Sequence, residues 1–195
     1  MQAAGASARQ IEAGGEVADE AALLALVANR DAVAFRLLVD RHARQLHRIA
    51  WRITGDAHEA EDIAQEAMLR LWDHAPRWRE GRTSLTAWLC RVAVNLAIDR
   101  HRRTRRISGE EVPDRADEVP LADAAIEADQ QAARARALIA ALPDSQRAAI
   151  VLTYYEDLSN ADAAVALDMK LKAFESLLFR ARAALRTGFA RSGGE

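Results

Sequence analysis

From Asp31 to Thr54, apolar side chains fall at Phe35, Leu38, Val39, Leu46, Ile49, Ala50 and Ile53. Steps of three and four place them on one stripe of an α-helix. The same spacing recurs in nearly every patterned stretch, and strand-like alternation of apolar and polar residues is absent. Glycine and proline gather between the patterned stretches rather than within them, as expected of punctuation between helices. The chain is therefore restricted to helix packed on helix. One stretch cannot join that packing: ISGEEVPDRADEVPL, Ile107 to Leu121, holds two prolines, a glycine and a concentration of acids. It reads as a linker. The expected fold is all-α, with two small helical domains joined by an acidic flexible linker.

The boundaries follow the pattern. Residues 1–18 read as a disordered Ala/Gly leader, because MQAAGASARQIEAGGEV lacks the basic start and compact apolar block of a signal peptide. The first domain spans 19–106, the linker 107–129, the second domain 130–188, and 189–195 form a loose tail. Within the first domain the spacing predicts helices over Asp19–Ala28, Asp31–Thr54, Asp56 to about Asp73, and Leu85 to about Arg105. Gly55 stands where a left-handed cap ends the second of these. Ser84 or Thr83 can cap the fourth, which buries Leu85, Trp88, Leu89, Val92 and Leu96. In the second domain Ser145 is a candidate cap after Pro143, and Ser159 begins a further helix.

Net charge is only −2 over 195 residues, but the charges come in blocks. Arg77 to Arg106 carries nine arginines against Glu80 and Asp99, and Lys170 to Arg186 carries five bases against Glu175. Between them, Ile107 to Asp129 carries eight acids against Arg115. Two basic blocks flanking an acidic one point to a polyanion held at two places. With 29% charged residues and no long apolar run, a membrane-spanning chain is excluded. A single cysteine, Cys90, cannot close an internal disulfide and fits a reducing cytoplasm; its apolar neighbours favour packing over redox sensing.

LSNADAAVALDMKLKAFESLLFRARAALR has the layout of a helix-turn-helix. Ser159 caps a short helix whose Ala163 and Ala164 admit a close neighbour, and Leu167-Asp168-Met169 breaks the pattern. A longer helix then starts at Lys170. Met169, Leu171, Phe174, Leu177, Leu178 and Ala181 form its inner face; Lys170, Lys172, Ser176, Arg180 and Arg182 project outward as a recognition helix requires. A helical hairpin with a solvated basic face has the same spacing. In the first domain, Arg91, Asn95, Asp99, Arg102, Arg103 and Arg106 share one stripe. Arginines grip phosphates, whereas Asn95 and Asp99 among them suit base edges. The preceding loop sets Trp78 amid Arg79, Arg82, Thr83 and Ser84, a combination suited to unpaired bases; Trp78 can equally pack into the core, as Trp72 and Trp88 are expected to do.

DAHEAEDIAQEAMLRLW, residues 56–72, is as acidic as the next helix is basic. Acids repel DNA, so Asp62, Gln65, Glu66 and Leu69 along one exposed ridge suit a basic helix of another protein. A solvated face trimmed by a Glu66–Arg70 pair is the plainer alternative. No Gly-rich phosphate loop, serine elbow or Cys–His pairing occurs in the sequence. The histidines, His58 near Glu61 and Asp62 included, show no repeated ligand spacing. No metal, cofactor or catalytic residue is expected, although a helical metalloenzyme and a regulator binding duplex DNA by itself remain open readings.

Taken in order, these segments resemble the extracytoplasmic-function, or group IV, sigma factors of bacterial RNA polymerase, over about Asp19 to Arg186. AFRLLVDRHARQLHRIAWRITGDAHEAEDIAQEAMLRLW is similar to the opening of that family's region two, SLTAWLCRVAVNLAIDRHRR to its promoter-reading helix, and ALPDSQRAAIVLTYYEDLSNADAAVALDMKLKAFESLLFRARAALR to its region four. The resemblance implies a non-enzymatic, cytoplasmic initiation factor, not inserted in a membrane. It would bind core polymerase (beta-prime coiled coil and beta subunit) and promoter DNA under the control of an anti-sigma factor. Asp62, Gln65, Glu66 and Leu69 would dock on the beta-prime coiled coil. Trp78, Arg79, Arg82, Arg91, Asn95, Asp99, Arg102 and Arg103 would capture and melt the minus-ten element; Lys170, Lys172, Ser176 and Arg180 would read the minus-thirty-five element. The acidic linker would thread a basic channel. This chain departs from the family by carrying Asp168 where a turn glycine is frequent. It also has Ala173, Glu175 and Leu177 where threonine, lysine and arginine are frequent.

Overall fold

The structure, a computed structural model, describes the backbone of residues 19–79, 81, 83–108 and 124–192, and the side chains of 19–79, 81, 83–104 and 131–191. The expected leader, residues 109–123 of the expected linker, and Arg82 of the expected promoter set lie outside the described residues. Every regular element among the described residues is helical. In chain order they are α1 (Glu20–Ala28), α2 (Ala32–Thr54), α3 (Ala57–His74), a 3₁₀ turn (Ala75–Arg77) and α4 (Leu85–Ser108), then α5 (Ala124–Ala140), α6 (Asp144–Ile150), a π-turn (Val151–Tyr155), α7 (Asn160–Ala166) and α8 (Leu171–Ser192). The first four helices form one domain and the last four a second.

Short polar side chains start these helices by taking orphan backbone N–H groups, at about 1 kcal/mol per cap. Asp31 accepts from Val33 and Ala34 at 2.9 and 3.0 Å, Asp56 from Glu59 at 2.9 Å, Ser84 from Ala87 at 3.2 Å and Ser159 from Asp162 at 3.1 Å. Asp56 thus spends its acidity on a cap rather than on the ridge. Gly55 ends α2 at φ 74°, its N–H donating to Trp51 at 2.8 Å, and the sharp reversal sends α3 back along α2. Ser145 is not a cap. Helix α6 begins one residue earlier, at Asp144, behind Pro143, and no side chain caps it; proline supplies the fixed φ instead. Two boundaries also differ from expectation: α5 begins at Ala124, inside the stretch 107–129, and α8 continues to Ser192. Alanine-rich AAIEADQQAARARALIA is among the strongest helix formers available.

The core of the first domain is Leu23, Leu24 and Val27 of α1, Leu38, Leu46, Ile49 and Ile53 of α2, Ile63, Ala67 and Leu71 of α3, and Leu85, Leu89 and Ala93 of α4, all buried. That of the second is Ala148, Leu152, Ala163, Ala166, Phe174 and Leu178. Leu171, expected on the inner face of α8, is 45% exposed. As the first residue of the helix it precedes the turn on which Phe174 packs.

The two domains pack against each other, through α4 with α7 and α2 with the π-turn. Helix α4 consequently has three faces. Leu85, Leu89 and Ala93 face its own domain. Ala87, Cys90, Val94 and Ala97, also buried, lie around the helix toward the second. Between those faces, Asn95, Asp99 and Arg103 remain exposed. Two polar clusters close the seam. The π-turn ends at Glu156, whose side chain has no solvent exposure and lies 2.7 Å from Arg48 and 3.6 Å from Arg52, both on α2. Arg48 donates to both carboxylate oxygens, which raises its pKa above the usual arginine value. Arg147 of α6 is 5% exposed. Its guanidinium donates to the Ile53 carbonyl of α2 at 2.6 Å, to Leu142 at 3.3 Å and to Ala140. One side chain thus satisfies terminal carbonyls of two helices from different domains, groups that would otherwise be buried without partners.

Candidate nucleic-acid interface

Helix α3 is divided lengthwise. Ala60, Ile63, Ala64, Ala67, Met68 and Leu71 are buried, so Asp62, Gln65, Glu66 and Leu69 are turned outward together. Gln65 donates to Glu61 at 3.3 Å and Arg70 to Glu66 at 2.9 Å. Leu69 is 57% exposed among these polar groups. An apolar side chain standing in a carboxylate ridge gives a cationic, amphipathic helix both charge and contact area to bind. Acidic α3 and basic α4 lie side by side: Arg100 reaches Glu59 at 3.1 Å and Asp62 at 3.7 Å, so one arginine of the basic block serves packing rather than a ligand.

On α4 the expected stripe is brought together, with a difference between its edge and its centre. Asn95, Asp99 and Arg103 face solvent. Arg91 and Arg102 lie at the edge next to the second domain and are already engaged. Arg91 is 2.9 Å from Asp168 and Arg102 is 3.0 Å from Asp144. In the preceding loop Arg79 is exposed. Trp78 is half-buried, its ring edge-on to Trp88 at 5.8 Å and to His74 at 6.0 Å, so it both packs and borders the exposed side. Trp72 meets Phe35 at 5.0 Å, with the Arg30 guanidinium over its ring at 5.2 Å; it belongs to the core.

In the second domain α7 and α8 form the helix-turn-helix, the turn made by Asp168 at φ 55°. A non-glycine residue there carries strain that aspartate bears better than most. Lys170, Lys172, Ser176 and Arg180 are exposed, as is Glu175. Among them stands Phe179, 66% exposed and beside Lys172, Ser176 and Arg180. Reading this helix by its charges passes over Phe179; the step from Lys172 through Ser176 puts it on the outward face, where an aromatic can meet a thymine methyl.

The buried thiol of Cys90 is pushed up to about 12 by burial first and then by the charges of Glu156 and Asp162, so it stays protonated and inert at neutral pH. Among the described residues no group of three histidine, cysteine or acidic side chains is placed to hold a metal ion, and no helix is long and apolar enough to cross a membrane.

An acidic ridge on α3, a basic α4 with Asn95 and Asp99 exposed among its arginines, and a separate helix-turn-helix are features expected of a helical protein that meets nucleic acid. Comparison with known proteins narrows that class. The Sigma-70 region 2 family matches residues 38–107 and the Sigma-70, region 4 family residues 132–185. The chain is 37% identical over 162 residues to the ECF RNA polymerase sigma factor SigL of Mycobacterium tuberculosis, covering 80% of this chain and 89% of SigL. It is 34% identical over 167 residues to SigE of Mycolicibacterium smegmatis, covering 81% of this chain but 62% of SigE. Among solved structures it superposes on CnrH in complex with the cytosolic domain of CnrY, with TM-score 0.68 and 26% identity over 88% of this chain and 97% of that one. The sigma factor RpoE of Bartonella quintana, in complex with the anti-sigma factor NepR, shares the fold at TM-score 0.59 and 22% identity over 79% and 93% of the two chains. The chain belongs to the extracytoplasmic-function sigma factors of RNA polymerase.

Proposed function

We propose that this sigma factor holds core polymerase through α3 and reads two promoter elements through α4 and α8, with catalysis left to the polymerase. The exposed ridge Asp62, Gln65, Glu66 and Leu69 carries the reading, because Leu69 stands 57% exposed among carboxylates whose contacts within the chain, Asp62 with Arg100 and Glu66 with Arg70, leave the face accessible. Its partner would be the basic coiled coil of the beta-prime subunit. Asn95, Asp99 and Arg103, with Arg91, Arg102, Trp78, Arg79 and Arg82 around them, would capture the minus-ten element as it unpairs. Lys170, Lys172, Ser176, Phe179 and Arg180 would read the minus-thirty-five element, the second domain also meeting the beta subunit. A region-two unit over 19–106 and a region-four unit over 130–188 would then grip separate stretches of DNA, with the acidic residues between them in the polymerase channel. The fold shared with RpoE, solved in complex with the anti-sigma factor NepR, supports control by such a partner here, in the cytoplasm.

The reading separates side chains by the kind of effect they should have. Asn95→Ala should relax selectivity at one minus-ten position by about 1–3 kcal/mol, measured as the spread of runoff yields over single-base promoter variants. Arg103→Ala should weaken every promoter alike and lower the slope of log affinity against log salt by about one. Uniform loss across promoters for Asn95→Ala would take Asn95 out of the base-reading set.

A further inference from the structure

Arg30 follows α1 in a left-handed conformation, φ 65°, its N–H donating to the Val27 carbonyl at 2.9 Å. Glycine suits that position better, so what arginine adds there is its side chain. The guanidinium crosses to the C-terminal end of α3, lies over the Trp72 ring at 5.2 Å and donates to the Trp72 carbonyl at 2.8 Å. That carbonyl has no regular partner in its own helix. The N–H four residues on would belong to residue 76, and Pro76 has none. Arg30 supplies the missing donor, with Asp73 beside it at 4.0 Å.

The turn held in this way is the one from which the promoter loop departs. Trp72 faces α2, where Phe35 meets its ring edge-on at 5.0 Å. His74 lies two residues on, about 200° round the helix, and faces α4 instead. Its imidazole stacks on Trp88 at 5.1 Å and meets Trp78 edge-to-face at 6.0 Å. Helix α1 also packs against the 3₁₀ turn Ala75–Arg77. A rotation of the last turn of α3 therefore moves the platform on which Trp78 rests.

We propose that Arg30 is a positioning residue for promoter opening. By bonding the Trp72 carbonyl it fixes the last turn of α3, and through His74 it fixes the pose in which Trp78 meets the minus-ten element. The proposal rests on the promoter reading above, which sets Trp78 against DNA. It adds a residue of the opposite face, acting on the loop from behind.

Arg30→Gly removes the guanidinium and relieves the backbone at the same time, so the chain should melt no earlier than the parent. The full chain is assembled with core polymerase. Opening is followed by the permanganate reactivity of minus-ten thymines on a duplex promoter, and runoff is measured from the same promoter pre-opened by mismatches. We expect duplex opening to slow about tenfold, the worth of one charge-assisted hydrogen bond, while runoff from the pre-opened template stays within about twofold. Arg30→Lys keeps a donor but no planar group over the ring, and should recover part of the rate. In a Trp78→Ala chain, adding Arg30→Gly should slow opening by less than about twofold further, because both act through one side chain. Equal losses on the two templates, full addition to Trp78→Ala, or parent-like opening each overturn the proposal. Slow opening by Trp78→Ala beside parent-like opening by Arg30→Gly would strike Arg30 alone and leave the promoter reading standing. Parent-like opening by both would remove Trp78 from that reading as well. Should Arg30→Gly melt early, Arg30→Lys decides, with a slowing of about threefold on the duplex only; parent-like opening there overturns the proposal.

Discussion

Reversing two charges on the ridge, Asp62→Arg with Glu66→Arg, is expected to weaken binding to core polymerase by about 100-fold or more. The estimate takes at least 1.5 kcal/mol for each close charge pair across such an interface, at 1.4 kcal/mol per decade. Within the chain the same changes should be mild. Asp62 is 70% exposed and touches only the fringe of Arg100 at 3.7 Å, while Glu66 pairs with the half-exposed Arg70; exposed pairs of this kind contribute about 0–1 kcal/mol. Helical content and melting should therefore stay near those of the parent, and an equilibrium titration against labelled core polymerase should report the loss. Parent-like affinity would remove this ridge from the interface. Leu69→Ala should lower affinity without altering its salt dependence, because it removes contact area and no charge.

Arg147→Ala should produce the largest loss of stability, about 3 kcal/mol, and a fall in melting temperature of about 10 °C for a chain of this size. The expectation rests on what the substitution leaves behind. The carbonyls of Ile53, Ala140 and Leu142 now accept from one guanidinium, and alanine would leave them in a site that water reaches poorly. Arg147→Lys should recover less than half of the loss, since an ammonium cannot fork to two helix ends at once. Calorimetry on the three chains decides the matter. A change below 1 kcal/mol for alanine would mean that the carbonyls rehydrate and that the seam is held elsewhere.

The helices, the division into two domains and the outward face of each functional helix were legible in the sequence because they depend on local spacing. Ser84 and Ser159 cap, and Gly55 terminates, where the pattern places them. The contact between the domains was not legible. Arg147 and Glu156 look like ordinary surface charges in SQRAAI and TYYED, and their burial depends on partners about a hundred residues away in sequence. Arg91 and Arg102 read as DNA contacts by type and stripe; that each faces an aspartate follows only from the packing of α7 and α6 beside α4. Ser145 was misplaced for a local reason, since a proline can start a helix without a side-chain cap. Phe179 was passed over because the charges around it already explained the helix. Its exposure, rather than its type, marks it.

The central claim is that this polypeptide makes core polymerase start at particular places. Core polymerase is incubated with a pool of upstream genomic fragments, with and without the purified chain, and the 5′ ends of the runoff products are mapped. The account predicts discrete start sites that need the chain and share two short motifs about two DNA turns apart, and that are lost with Asp62→Arg and Glu66→Arg. The same start sites and yields with and without the chain would contradict it.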